Sequence, residues 1–255
     1  MKIKNWYYTP NKNDYVSIEP VIINNELYPI AQYLKSHYLN FLSEIRVLWD
    51  KPNDDLYGNF DKFDEVQFPP RSWKKVVFKI WGIEYNSNVE KFNSIKILLD
   101  KFPSITSCFV ARLGPKAKVL PHSGETDAII RFHLALNIPK CENGECSIKI
   151  FGETFNWING EVFGFNDAFI HEAWNNTDEF RYIIIVDVLR KDSKDSYNYV
   201  TTRMNLTQVY YYLFSRVKPF FLNKILFFFF LHVLFYPTLI AYKLGNHFNF
   251  FKNIK

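Results

Sequence analysis

Apolar positions recur every three to four places in two stretches of the first hundred residues, and from residue 107 they gather instead into short runs between turn residues. Ile30, Tyr33, Leu34, Tyr38, Phe41, Leu42, Ile45 and Leu48 share one side of a 3.6-residue period, which predicts an amphipathic helix over Ile30–Trp49 with Pro29 at its start. Val89, Phe92, Ile95, Leu98 and Leu99 predict a second helix over Ser87–Lys101, ended by Phe102-Pro103. Between them, Lys51–Pro70 reads as a polar loop. Trp73–Trp81 reads as a strand alternating around Val76, Phe78 and Ile80 and broken by Gly82. Residues 1–29 hold no lasting period.

From Ser107 onward, short β-branched and aromatic runs alternate with turn residues. The predicted strands are Cys108–Leu113, Ala128–Leu136, Ser147–Phe151, Glu161–Phe165 and Tyr182–Leu189. Helices before and strands after predict a mainly β barrel or sandwich, a jelly roll with helices buttressing one face. The expected domain is 1–203, with helical support over 1–104 and the β core over 105–190. There is no internal repeat.

The C-terminal stretch, 204–255, has a different pattern. Ile225–Tyr242 is a run of eighteen residues without a formal charge, flanked by lysines on both sides and interrupted by His232, Pro237 and Thr238. Leu226–Leu231 is apolar all round, unlike an amphipathic helix with a polar face. The run is close to the roughly 20 residues a spanning helix needs. Residues 220–244 are therefore expected to form a hydrophobic helical tail that contacts a membrane, as a span or as an anchor lying on it.

Bulk composition narrows the picture. Charged residues are 22% and hydrophobic ones 48% of 255, which suits a folded chain with a sizeable core. A net charge of +5 without a Lys/Arg stripe gives no reason to expect nucleic acid as a partner. Cys108, Cys141 and Cys146 make no even framework, and free thiols are expected, although Cys141 and Cys146 bracket a hairpin tip. The first residues carry no apolar leader, so the expected setting is cytoplasmic, with membrane association through the tail.

The candidate chemistry lies between Pro121 and Val188. His122 and His171 stand 49 residues apart, and Arg131 and Arg181 follow them by nine and ten residues. Neutral imidazole binds transition metals, and an arginine fork matches a carboxylate at two points. Two histidines and two arginines on neighbouring strands therefore suit a metal with an anionic cosubstrate. Spacing alone is weak, because a lone histidine is usually a surface or core residue.

The segments Pro121-His122-Ser123-Gly124, Arg131-Phe132-His133-Leu134-Ala135-Leu136, Gly164-Phe165-Asn166-Asp167-Ala168-Phe169-Ile170-His171-Glu172 and Phe180-Arg181-Tyr182-Ile183-Ile184-Ile185-Val186-Asp187 resemble the aspartyl/asparaginyl β-hydroxylase family of iron(II)- and 2-oxoglutarate-dependent oxygenases, which includes bacterial lipid A hydroxylases. The resemblance runs in order over roughly residues 105–190. It implies a double-stranded β-helix, a cupin-like jelly roll. It implies that His122 and His171 bind Fe(II) as the catalytic and metal residues. It further implies that Arg181 grips the far carboxylate of 2-oxoglutarate and that Arg131 and His133 line the cosubstrate pocket. Most of the superfamily places a carboxylate two residues after the first histidine. Here that position is Gly124, and Glu125 and Asp127 are nearby acids without the usual spacing. Asp167 and Asp187 read as rim residues or as supports behind the ligands and not as ligands themselves, Trp157 and Trp174 as packing, and His232 and His247 as outside the chemistry.

The expectation is a dioxygenase that consumes O2 and 2-oxoglutarate to hydroxylate an unactivated C–H. Its substrate is a membrane lipid acyl chain or a membrane-proximal peptidyl Asp or Asn. The rival expectation is a non-catalytic cupin-like module that binds a metal or an organic acid.

Overall fold

The structure is a computed structural model that describes residues 21–49, 67–140, 144–191, 193, 196–214 and 224–247. Cys141 and most of the expected 51–70 loop lie outside them.

The first predicted helix is two helices, α1 (Pro29–Ser36) and α2 (Tyr38–Ile45), followed by a 3₁₀ turn, Arg46–Leu48. The break falls at His37. There the Tyr33 carbonyl meets the Ser36 hydroxyl, the His37 backbone N–H and His37 Nδ1 at 3.0–3.1 Å, and the His37 ring stacks on Tyr33. Local polar groups thus close the first helix while the apolar stripe runs on. The second prediction also divides, into α3 (Asn86–Val89) and α4 (Asn93–Lys101). Phe92 turns extended between them and buries its ring edge-on against Phe78. The N-terminus of α4 is capped from outside, since Ser94 N and Oγ both donate to the Glu44 carboxylate of α2 at 2.9 Å.

Eleven strands form two antiparallel sheets: β1 (Gln67–Phe68), β2 (Trp73–Ile80), β3 (Ile83–Glu84), β4 (Ile105–Leu113), β5 (Ala117–His122), β6 (Ile129–Asn137), β7 (Cys146–Ile150), β8 (Glu153–Asn156), β9 (Val162–Phe165), β10 (His171–Asn175) and β11 (Arg181–Leu189). The six-stranded sheet has the order β3-β2-β4-β11-β6-β9, and the five-stranded sheet β1-β5-β10-β7-β8.

The six-stranded sheet is buried on both faces. Val76, Phe78, Val110, Phe132, Leu134, Ile184 and Val186 pack under the helices with Leu34, Phe41, Ile45 and Leu98. Alternate residues, among them Val77, Phe109, Ala111, Ile183 and Ile185, meet Val119, Ile148, Ile150 and Ala173 of the five-stranded sheet. Burial on both sides explains why these strands read as continuous apolar runs. Strand alternation also puts Lys75, Arg131, His133, Arg181 and Asp187 on the face toward the second sheet. A charged set sits there inside an apolar sandwich.

Helix α5 (Tyr197–Phe214) runs through the expected domain boundary at 203. Its first turns pack Val200 and Met204 on Trp81, Ala128 and Ile129, and Asn205 Nδ2 donates to the Trp81 carbonyl at 3.0 Å. Helix α6 (Lys224–His247) lays Leu231 and Phe235 against Leu206 and Tyr210 of α5. It exposes Ile225, Phe229, Val233, Tyr236 and Ile240. Among the described residues no helix is long and apolar enough to cross a membrane.

Candidate active site

His122 ends β5 and His171 opens β10, and the two are direct register partners. A bulge makes this possible. Ala173 pairs with Val119, so three steps on β5 match two on β10. The extra residue reverses the alternation and turns His122, rather than Pro121, toward its partner. The imidazole centroids lie 4.2 Å apart.

Both rings are oriented the same way. His122 Nδ1 lies 2.8 Å from the Leu120 carbonyl, and His171 Nδ1 lies 2.8 Å from the Phe169 carbonyl. A carbonyl only accepts, so each Nδ1 carries the proton and each Nε2 keeps its lone pair. Burial, and then the neighbouring His171, push the His122 pKa well below its ordinary value, which favours the neutral, metal-ligating form.

Asp167 completes the group in a way the sequence did not suggest. Its Oδ1 lies 3.4 Å from His171 Nε2, and the residue is 1% exposed. Two electron-rich atoms facing each other at that distance fit a cation held between or beside them. A side chain on Gly124 would run into this carboxylate, with its Cβ 2.6 Å from Asp167 Cγ. Glu125 is turned to α5, where Gln208 Nε2 donates to it at 3.2 Å, and so does not take the missing acid's place. Among the described residues no three His, Cys, Asp or Glu side chains form a metal cage.

Arg131 serves the acids of the site. Its Nε and Nη2 donate to the two oxygens of Asp187 at 2.7 and 2.9 Å, and its Nη1 reaches Asp167 Oδ1 at 2.5 Å. Burial works against the Arg131 charge, but Asp167 and Asp187 outweigh it and hold its pKa above the ordinary value. Arg131, expected to line a cosubstrate pocket, lies near the histidines with its fork occupied by two side-chain carboxylates.

The other end of the site is organised by Trp157. Its Nε1–H donates to His133 Nδ1 at 3.4 Å, which leaves the His133 proton on Nε2, where no acceptor stands among the described residues. The Arg181 guanidinium lies 4.5 Å above the Trp157 ring and is 2% exposed. Its Nε has no acceptor and it makes no ion pair among the described residues. Burial lowers its pKa to about 10. Phe165 stands edge-on to both His171 and His133, with centroids 5.2 Å away from each.

All five predicted residues therefore lie on the walls between the two sheets. Trp157 was expected to pack rather than to meet a substrate, and Asp167 and Asp187 to line the rim or to stand behind the ligands. Their roles come from contacts across strands, and no local spacing encodes them. Trp174 donates to the Gly144 carbonyl and His232 lies exposed on α6, both outside the site.

The fold and site are those of an antiparallel two-sheet protein with a histidine pair facing buried arginines. The aspartyl/asparaginyl β-hydroxylase family profile matches residues 35–191, and the chain belongs to that family. It is 42% identical over 96 residues to the human aspartyl/asparaginyl β-hydroxylase, an alignment covering 36% of this chain and 12% of that protein. It is 27% identical over 172 residues to the ornithine lipid ester-linked acyl 2-hydroxylase of Rhizobium tropici, covering 67% of this chain and 61% of that one. The chain thus spans less than two thirds of either relative. Among solved structures, a Pseudomonas putida prolyl-4-hydroxylase matches over 68% of this chain and 91% of its own, at 12% identity and a TM-score of 0.39.

Proposed function

We propose that the chain is an iron(II)- and 2-oxoglutarate-dependent hydroxylase whose two sheets form a double-stranded β-helix. The observation that carries this reading is Arg181, a fully buried guanidinium with no carboxylate partner among the described residues, on the same walls as two imidazoles that each turn Nδ1 to a backbone carbonyl. Burying an uncompensated charge costs several kcal/mol, which an anionic ligand offsets.

In this reading His122 and His171 hold the metal through Nε2, and the Arg131 clamp keeps Asp167 turned to the same place. Arg181 receives the far carboxylate of the diacid, with the His133 Nε2–H as a second donor. Phe165 and Trp157 exclude water between these groups. The bound metal with 2-oxoglutarate and dioxygen supplies the oxidant that converts C–H to C–OH, leaving succinate and carbon dioxide.

The two relatives suggest a common substrate geometry. The β carbon of Asp or Asn and the 2-position of an acyl chain are both bonded to a carbonyl carbon. We therefore take the substrate C–H to lie next to a carbonyl or carboxyl group, in a peptidyl Asp or Asn side chain or a membrane lipid acyl chain. The exposed apolar stripe of α6 supports a membrane-associated enzyme, with the helix lying along the surface.

Loading the protein with iron under nitrogen, then admitting oxygen and measuring succinate, tests the reading. Succinate that requires both iron and 2-oxoglutarate is the expected result. Iron and 2-oxoglutarate bound without any succinate, whatever substrate is added, would instead mark a binding module.

A further inference from the structure

The end of the sandwich that holds the histidines carries an apolar rim that the proposed chemistry does not use. Ile150, His171 and His122 are register partners across β7, β10 and β5, so the residues that flank them meet at one edge of the site. Phe151 follows Ile150 at the turn into β8, with a φ of 48°, and Ile170 precedes His171. The Phe151 N–H donates to the Ile170 carbonyl at 2.9 Å, and the Phe151 ring meets Phe169 edge-on with centroids 5.2 Å apart. Phe169 is the residue whose carbonyl orients His171. Phe151 and Ile170 are nevertheless 68% and 63% exposed. This is the open end of the site, where His122 is half-buried, while Arg181 at the Trp157 end is fully buried.

Helix α5 stands at the same end. Glu125, three residues after His122, accepts the Gln208 amide, and Val200 and Met204 pack on Ala128 and Ile129 where β6 begins. Helix α6 lies on α5 through Leu231 and Phe235, and its exposed apolar residues, Ile225 to Ile240, recur at three- and four-residue steps on the opposite side. In the sequence from 204 to 255 the only formally charged side chains are Arg216, Lys218, Lys224, Lys243, Lys252 and Lys255. Residues 1–203 balance to within one charge, so the formal +5 of the chain comes from this segment. Exposed apolar side chains beside a uniformly basic segment complement an anionic bilayer, whose apolar interior lies under negative head groups. Two copies of the chain meeting on these faces would instead bring like charges together.

We propose that Phe151 and Ile170 form a second bilayer contact which, together with α6, seats the His122 end of the site on an anionic lipid surface. The reading above places only α6 on the membrane. Here the body of the enzyme is engaged as well, and a substrate reaches the histidines from the lipid surface. This rests on the membrane reading of α6 and is independent of the metal chemistry.

The test uses the full chain and two kinds of vesicle, phosphatidylcholine alone and an equal mixture of phosphatidylcholine and phosphatidylglycerol. Binding is measured by flotation for wild type, the rim variant Phe151→Ser/Ile170→Ser and the α6 variant Phe229→Ser/Val233→Ser. Wild type should bind the anionic vesicles more tightly than the neutral ones. The rim variant should lose roughly tenfold or more in affinity for the anionic vesicles, while its anaerobic binding of 2-oxoglutarate stays within twofold of wild type. Phe151→Trp keeps the rim apolar and gives a second reading, since brominated lipid should quench its fluorescence beyond the quenching seen in wild type. A rim variant that binds within twofold of wild type, a Phe151→Trp protein quenched no more than wild type, or equal binding to both vesicles overturns the proposal. A dimer that the rim variant abolishes, in place of vesicle binding, overturns it in favour of a second copy. Wild type that binds no vesicle refutes the membrane reading as a whole, and binding lost only in the α6 variant refutes the rim alone. Vesicle binding as expected with no succinate refutes the oxygenase reading and supports the rim.

Discussion

The carboxylate of Asp167 occupies the space in which a side chain on Gly124 would stand. A Cβ on Gly124 would lie 2.6 Å from Asp167 Cγ and 3.1 Å from the Asp167 carbonyl oxygen, which already accepts the Gly124 N–H at 2.7 Å. An acid at position 124, two residues after the first histidine, is therefore excluded here by another acid. Gly124→Ala is expected to lower stability by about 1–3 kcal/mol, and Gly124→Asp by more. Removing the Asp167 side chain should relieve the larger part of each loss and leave the closer approach to the Asp167 carbonyl. Urea unfolding of Gly124→Asp, Asp167→Gly and the double variant should give a coupling of roughly 0.5–3 kcal/mol. Strict additivity would contradict the steric account.

Arg131 holds two carboxylates that are each 1% exposed. Arg131→Met leaves both buried without their cation and is expected to cost about 3–5 kcal/mol. Arg131→Lys returns the charge but not the fork, so it should recover only part of the loss. Denaturant midpoints measure this, and a neutral Arg131→Met would contradict the clamp.

Lys75 gives stability a pH dependence whose sign is fixed. Its folded pKa of about 7 lies below its ordinary 10.5, so between those values the unfolded chain binds more protons than the folded one. Stability from this group therefore rises with pH across that window, by at most about 1.4 kcal/mol per unit. K75M, which buries no charge, should be more stable than wild type at pH 7, with the difference shrinking toward pH 10. A difference that is constant or grows with pH would contradict the buried-ammonium description.

Trp157 has two tasks that substitution can separate. Trp157→Phe keeps a ring beneath Arg181 but removes the donor to His133 Nδ1, freeing the imidazole to change tautomer. In anaerobic titrations, 2-oxoglutarate affinity should fall roughly 2- to 10-fold in Trp157→Phe and further in Trp157→Leu. Equal affinity in all three proteins would return Trp157 to a packing role.

The strands of the helix-covered sheet were legible in the sequence because both their faces are buried, so β4, β6, β9 and β11 appear as apolar runs. The two strands that carry the histidines were not. β5 exposes every second residue and contains Pro121, and β10 reads His-Glu-Ala-Trp-Asn, too short and polar to stand out. The histidines were found through a motif resemblance, while the bulge that brings them face to face has no local signal. Helix breaks at His37 and Phe92 escaped notice for a similar reason. The Tyr33 carbonyl and the Glu44 cap act through contacts that a hydrophobic period does not record. Asp167, Asp187 and Trp157 gain their roles only when β6, β11 and the turns after β8 and β9 are brought together.

The most direct test of the central claim is the absorbance of the iron(II)-loaded protein under nitrogen as 2-oxoglutarate is added. The account predicts a metal-to-ligand charge-transfer band that appears with the keto acid. His122→Ala or His171→Ala should abolish it, and Arg181→Met should shift its onset to at least tenfold higher 2-oxoglutarate. Iron bound with no band, or a band whose midpoint ignores Arg181→Met, would contradict it.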